Sequence, residues 1–273
     1  MTTDNKYSDS MTTGPDNSGK KTLTIASSLI AVFLVYFVVM SALAPSKKLS
    51  ELEALYQPQE PESGDFDGRL YTDSAYLALI REKAFLQSRI SMAQTDSISL
   101  TLNLADSTAN LEISGVLVHS AKLNAIRISR ILTTGDEYVI STMLSVPLNI
   151  VADHSTIQKE PLMVKLAPKD TSEYIPDITP DTTDFESVSY ILDTDRGIRI
   201  FVSQYEKTKW ADRSAIFFFD LRDRIRTASA VLREILRLEV PDYHPFIKIE
   251  MPKSEAKILY RAMPANGQVT VFR

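Results

Sequence analysis

Residues 23–44, LTIASSLIAVFLVYFVVMSALA, form an apolar run of 22 residues with no charge and no proline. As a helix rising ~1.5 Å per residue the run reaches about 33 Å, the thickness of a bilayer's hydrocarbon core. Backbone polar groups find no water there, so a helix is the form such a run takes. The run divides the chain into a polar head at 1–22, a single transmembrane helix at 23–44, an acidic linker at 45–68 and one large domain at 69–273. Ser41-Ala42-Leu43-Ala44 also offers the small-x-small pattern of a cleavable signal. Pro45 follows it directly, and the run exceeds the roughly 7–15 residues of a removable signal core, so a retained anchor is favoured.

Lys20 and Lys21 flank the run in front, Lys47 and Lys48 behind, and nearly cancel as an orientation signal. The short head and the large trailing domain favour head inside, domain outside. Residues 1–20 are almost free of apolar side chains and read as disordered. The linker, with Glu51, Glu53, Glu60, Glu62, Asp65 and Asp67, reads as an extended stem that holds the domain off the lipid, with room for one helical turn near 49–56. Net charge is −5 without a basic run, which argues against nucleic acid as a partner. The chain has no cysteine, so thiol nucleophiles, disulfides and cysteine metal sites are excluded.

Asp73 or Thr72 caps a helix to about residue 94, with Tyr76, Leu79, Ile80, Leu86, Ile90 and Ala93 as its docking face. The period then changes to two. Ile98, Leu100, Leu102 and Leu104 alternate with polar residues; a turn at 106–108 and Gly115 divide this stretch into a three-stranded meander. Ile126 and Ile128, and later Leu162, Val164 and Leu166, extend the sheet, and residues 170–184 read as a long loop. Val188, Tyr190 and Leu192 turn through 193–197 into Ile198 and Ile200, a hairpin. Residues 212–238 read as a second long helix. Its seam of Phe218, Leu221, Ile225, Ala228, Leu232 and Ile235 is expected to pack on the sheet, or to make a homo-oligomer through helix 212–238. A strand at 246–250, a helix opened by Pro252 and a strand at 269–272 close the chain. The fold class expected is α+β: one transmembrane helix, then a β-rich domain with two long helices and a C-terminal strand–helix–strand unit.

The closing run, YHPFIKIEMPKSEAKILYRAMPANGQVTVFR, resembles the end of the L,D-transpeptidase catalytic domain, a bacterial family that cross-links peptidoglycan through a cysteine acyl-enzyme. The family's Ser-His-Gly-Cys-Ile/Val-Arg signature falls on Tyr243, His244, Pro245, Phe246, Ile247 and Lys248. Ala256, Leu259 and Tyr260 match its helix, the meander at 98–118 is similar to its opening, and Phe201 and Val202 fall at its His-Gly. The resemblance implies a cell-envelope protein of the inner membrane with its domain in the periplasm or outside. It also implies a pseudoenzyme: Phe246 stands for the nucleophile, Phe201 for the histidine and Lys248 for the arginine, and phenylalanine neither attacks a carbonyl nor moves a proton. Tyr243, His244 and Lys248 are left as a candidate ligand groove, and Phe246 is expected to be buried.

Other chemistry is sparse. No phosphate loop, dinucleotide fingerprint or nucleophile elbow occurs. His119 (expected at a strand end), His154 (in a polar loop) and His244 are scattered, and Asp177, Asp181 and Asp184 do not match a calcium loop. No cofactor is expected. The function expected is a non-enzymatic, membrane-anchored envelope protein that binds a protein partner as a scaffold or assembly subunit, or binds the cell wall. The alternative is an active envelope hydrolase or transferase with an unrecognised Ser/His/Asp site.

Overall fold

The computed structural model describes residues 18–57, 73–159, 187–206 and 210–273, with side chains from residue 25 in the first helix and from residue 213 in the fifth. The chain is mixed α/β: a long apolar N-terminal helix, then a large sheet domain with helices. In order the elements are α1 (Ser18–Tyr56), α2 (Ser74–Ala93), β1 (Ile98–Asn103), β2 (Thr108–Ile113), β3 (Val116–Lys122) and β4 (Ala125–Ile128). Then follow α3 (Arg130–Thr134), α4 (Glu137–Leu144), β5 (Leu148–Ser155), β6 (Ser189–Thr194), β7 (Arg199–Gln204), α5 (Trp210–Leu236), β8 (Phe246–Met251), α6 (Lys253–Ala262) and β9 (Gln268–Phe272). The expected strand at Leu162, Val164 and Leu166 and the loop with Asp177, Asp181 and Asp184 lie outside the described residues.

The strands form one sheet in the order β3-β2-β1-β9-β5-β6-β7-β8-β4. The expected meander and hairpin are both present. Ser114 and Gly115, both at positive φ, make the tight β2–β3 turn, and Gly197 at φ 73° closes the β6–β7 turn. Register assigns the two faces. Leu100 pairs with Leu111 and Val269, Leu192 with Ile200, and Ile200 with Ile247, so these residues share one side. That side is the core, and α6 covers it with Ala256, Leu259 and Tyr260, the Tyr260 ring lying 4.8 Å from that of the fully buried Tyr190.

The opposite side carries α2 over β1, β2 and β9, and α5 over β6, β7 and β8. Asp73 caps α2 by accepting from the Ala75 N–H at 2.9 Å. The helix docks through Ala84, Ser88 and Met92, not through the expected face: Leu79, Leu86 and Ile90 are 63, 46 and 63% exposed. The reason is the surface it meets. Ser99, Thr101 and Thr270 point outward from the sheet and are buried. Small residues let the helix approach them, and the Ser88 and Thr270 hydroxyls hydrogen-bond across the gap. Arg89 pairs with Glu112 at 3.1 Å, and Phe85 packs on Phe272. Glu137 on α4 takes Arg81 of α2 at 3.0 Å and the C-terminal Arg273 at 2.9 Å, locking three segments together.

Two further expectations change. The linker is not an extended stem over its first half, because α1 runs without a break through Pro45 to Tyr56. Proline costs a helix ~3 kcal/mol through its lost N–H and its clash with the preceding turn. Here packing outweighs it: Ala44 and Leu52 are buried, Leu49 and Tyr56 are half-buried on the same side, and Lys47 and Lys48 both pair with Glu51. The helix therefore docks on the domain instead of holding it off the lipid. Likewise α5 does not lay its seam on the sheet. Phe218, Leu221, Ile225 and Leu232 are exposed and only Ile235 of that seam is buried.

Candidate functional site

The helix α5 meets the sheet through charge. Ile216, Asp223, Thr227, Val231 and Glu234 form its inner side. Arg199 on β7 is the hub: its Nε donates to Asp193 Oδ1 at 2.7 Å and its Nη2 to Asp223 Oδ1 at 2.6 Å. Arg226 also donates to Asp223, at 2.7 Å, and to His154 Nε2. Guanidinium has no acceptor, so that nitrogen of His154 must be the acceptor and the ring is neutral. Burial lowers the His154 pKa, with Arg226 adding to the effect, and Asp193 and Asp223 only partly oppose it. For Asp223, burial alone would raise the pKa, but hydrogen bonds and charge from Arg199 and Arg226 outweigh it and hold the carboxyl below its usual range. Burial would likewise lower the Arg199 pKa; its bonds to Asp223 and Asp193 reverse this and keep it charged.

Beside this network, parallel pairing sets Arg199 opposite Phe246 and Phe201 opposite Lys248. Side chains alternate along a strand, so all four share the α5 side. The Phe201 and Phe246 rings meet edge to face at 6.4 Å. Lys248 Nζ lies 4.8 and 5.3 Å from the two centroids, and the Arg199 guanidinium lies 5.1 Å from that of Phe201. Phe246 is thus half-buried on the outer side of β8, while Ile247, Ile249 and Met251 enter the core. The expectation of a buried Phe246 is corrected accordingly.

The three candidate groove residues do converge. Tyr243, His244 and Lys248 line one cavity of ≈ 290 Å³ together with Phe246, and Ser41 and Ala44 of α1 form its opposite wall. Burial raises the Tyr243 pKa, so its phenol stays protonated at neutral pH. A second cavity of ≈ 300 Å³ lies between α5 and the sheet, sharing His244, Thr227 and Val231. His119 lies within β3, not at its end, and contacts Glu255 of α6 at 2.5 Å; His154 lies within β5, not in a loop. Two of the three histidines are thus engaged with charged side chains. Among the described residues no group of three histidine or carboxylate side chains gathers as a metal site. What the cavity offers is recognition by aromatic faces, a phenol and fixed cations.

The sequence reading missed the contribution of α1 to this cavity and the whole Arg199–Asp223 network. The signal for the network lies in α5 itself, where Asp223 and Thr227 fall one turn apart on the side away from the apolar seam. No protein-family model, curated protein or solved structure matches the chain.

Proposed function

We propose that the chain is a non-enzymatic, membrane-anchored scaffold whose domain binds a protein partner along the edge made by β3 and α2. The observation that carries this reading is β3. It is the terminal strand of the sheet, and Val116, Leu117 and Val118 are 67, 55 and 61% exposed. The outer edge of such a strand offers unpaired N–H and C=O groups as a template for another chain. The patch continues onto α2. A Cβ at Gly115 would sit 3.1 Å from the Ala93 Cβ, which puts the β2–β3 turn against the end of that helix. Ile90, Leu86 and Leu79 extend the apolar surface from there, and contiguous patches of this kind mark interaction sites.

The non-enzymatic part of the reading is supported by Phe201, Phe246 and Lys248, the positions at which the transpeptidase resemblance would place its chemistry. The anchor is α1, long and apolar enough to cross a membrane. We place the domain outside the cytoplasmic membrane, in the periplasm; protease added to spheroplasts is expected to remove the domain, and its survival until lysis would reverse that placement.

The absence of cysteine makes the test simple, since Leu117→Cys and Leu86→Cys each introduce a single thiol. With the full chain in its membrane, a photocrosslinker on either thiol is expected to give one discrete adduct, lost when Val116 and Val118 become lysine. Free reaction of both thiols with aqueous maleimide and no adduct at either would overturn the reading. A stable adduct of a serine-reactive probe on the full chain would replace it with the hydrolase alternative. A second reading, binding of the cell wall, is favoured by the gathering of Tyr243, His244 and Lys248 around one cavity. It requires the detergent-solubilised chain to pellet with purified peptidoglycan and Lys248→Ala to abolish this.

A further inference from the structure

The outward side of α5 has no place in the reading above. Successive helical residues advance by ~100°, so Phe217, Phe218, Leu221, Ile225, Leu232 and Leu236 fall within an arc of about 100°. All six are exposed. Arginines border the arc on both sides: Arg222 and Arg233 on one, Arg213 and Arg224 on the other, while Arg226 is held inward by Asp223 and His154. Of the acidic residues, Asp223 and Glu234 are turned inward, Asp223 onto Arg199 and Glu234 onto the Asp242 N–H at 2.9 Å, and the exposed Asp220 lies outside the arc, beyond Arg213 and Arg224.

The level of α5 along α1 is fixed by contacts. Thr227 and Val231 line the same cavity as Ser41 and Ala44. Just beyond, Lys47 Nζ donates to the Val240 carbonyl at 3.0 Å and lies 3.6 Å from Asp242. Tyr36, Phe37, Met40 and Ser41 are half-buried, so the domain covers the last turns of the apolar run itself. If residues 23–44 cross a bilayer, whatever touches Ser41 and Ala44 lies at the bilayer's surface.

We propose that α5 is an interfacial helix, lying in the headgroup region of the bilayer that α1 crosses, with its apolar arc among acyl chains and its bordering arginines on anionic phospholipid headgroups. An apolar face with arginines at both margins is the pattern of helices that lie in a membrane interface, the long side chains reaching up to the phosphates. A second copy fits less well, because a seam formed with the same arc would bring these arginines together at its margins.

The proposal rests on the reading of α1 as a membrane span, and the test separates the two. Single cysteines at Leu221, Ile225 and, in α1, Leu29 carry a fluorophore in the full chain, reconstituted into vesicles of phosphatidylcholine and phosphatidylglycerol. Lipid-borne nitroxide is expected to quench all three labels several-fold more than aqueous iodide does. Quenching of the Leu29 label by lipid, with the α5 labels open to iodide, overturns the interfacial helix and leaves the span standing. Lipid quenching at none of the three overturns both. Labels on α5 shielded from both quenchers, and exposed again when the chain-to-lipid ratio of the vesicles is lowered, assign the arc to a second copy and overturn the proposal.

Discussion

Arg199 on β7 and Asp223 on α5 are joined at 2.6 Å, and this pair, with side-chain exposures of 12 and 13%, is the main link between α5 and the sheet. Elsewhere the helix stands over cavities, one of which, ≈ 620 Å³, is lined by Phe219, Asp223 and His154 among others. Apart from Ile235 at its C-terminal end, no apolar side chain among the described residues of α5 is fully buried, so the ion pair is a principal tie holding the middle of the helix.

Removing one partner from such a pair strands the other. Asp223→Ala leaves the half-buried Arg199 with Asp193 as its one remaining carboxylate partner among the described residues, and the cost expected is ~1.5–3 kcal/mol. Most of it should appear locally. Hydrogen exchange of the full chain in detergent is expected to show lost protection across α5 with little change in β1, β2 and β9; unchanged exchange in α5 would show that something else fixes the helix.

The same network predicts that acid loosens α5 in two steps. The His154 pKa is lowered on folding, so the unfolded chain binds the proton more readily and stability falls as pH drops below about 6.5. The Asp223 pKa is also lowered, so its contribution is intact above about pH 4 and is lost as pH falls further, through its folded value. Exchange in α5 followed against pH is expected to rise in both windows. In His154→Gln the upper step should vanish and the lower remain.

Much of the fold was legible because alternation and capping are local signals. The meander, the hairpin and both long helices lie where the sequence puts them, within a few residues. The errors concern what each face meets, which is a long-range property. Apolar spacing identified α2 and α5 as amphipathic, but assigning the apolar side to the core assumed that a sheet presents apolar residues. Here β1 and β9 present Thr101 and Thr270, and β7 presents Arg199. The outward phase of Phe246 is local: Lys248 and Glu250 alternate in step with it, while Ile247, Ile249 and Met251 carry the core. The helices α3 and α4 and strand β5 went unread because residues 129–157 are too short-period and mixed to show one pattern.

That phase sets the expected cost at Phe246. The ring is half-buried against Phe201, so Phe246→Ala should cost ~1–2 kcal/mol. Ile247→Ala, in the core at 1% exposure, should cost ~2–5 kcal/mol. Thermal melts of the two variants rank the faces; a larger loss at Phe246 would contradict the register of β8.

Ser88 and Thr270 give a test of how α2 is seated. Both are buried and satisfy each other. Either single replacement, Ser88→Ala or Thr270→Val, leaves one buried hydroxyl without its partner, a penalty of ~1–3 kcal/mol. The double variant removes both polar groups and should cost less than the sum of the two, so a double-mutant cycle is expected to return a favourable coupling. Strict additivity would mean that the hydroxyls do not interact.

The continuation of α1 past Pro45 is tested at Leu52. If residues 45–56 were a free stem, Leu52 would be solvated and its truncation nearly silent. In the docked helix it is 3% exposed within the domain core, whereas Leu55, one turn position away, is 74% exposed. Leu52→Ala should therefore cost ~2–4 kcal/mol by leaving a cavity, and Leu55→Ala within about 0.5 kcal/mol of nothing. The comparison holds propensity constant, since both changes replace leucine by alanine in the same helix. Melting of the full chain in detergent reads both. A large loss at Leu52 alone means that the end of the long apolar helix is part of the domain, so that tilting α1 must move the sheet; equal and small losses would return the segment to a flexible tether.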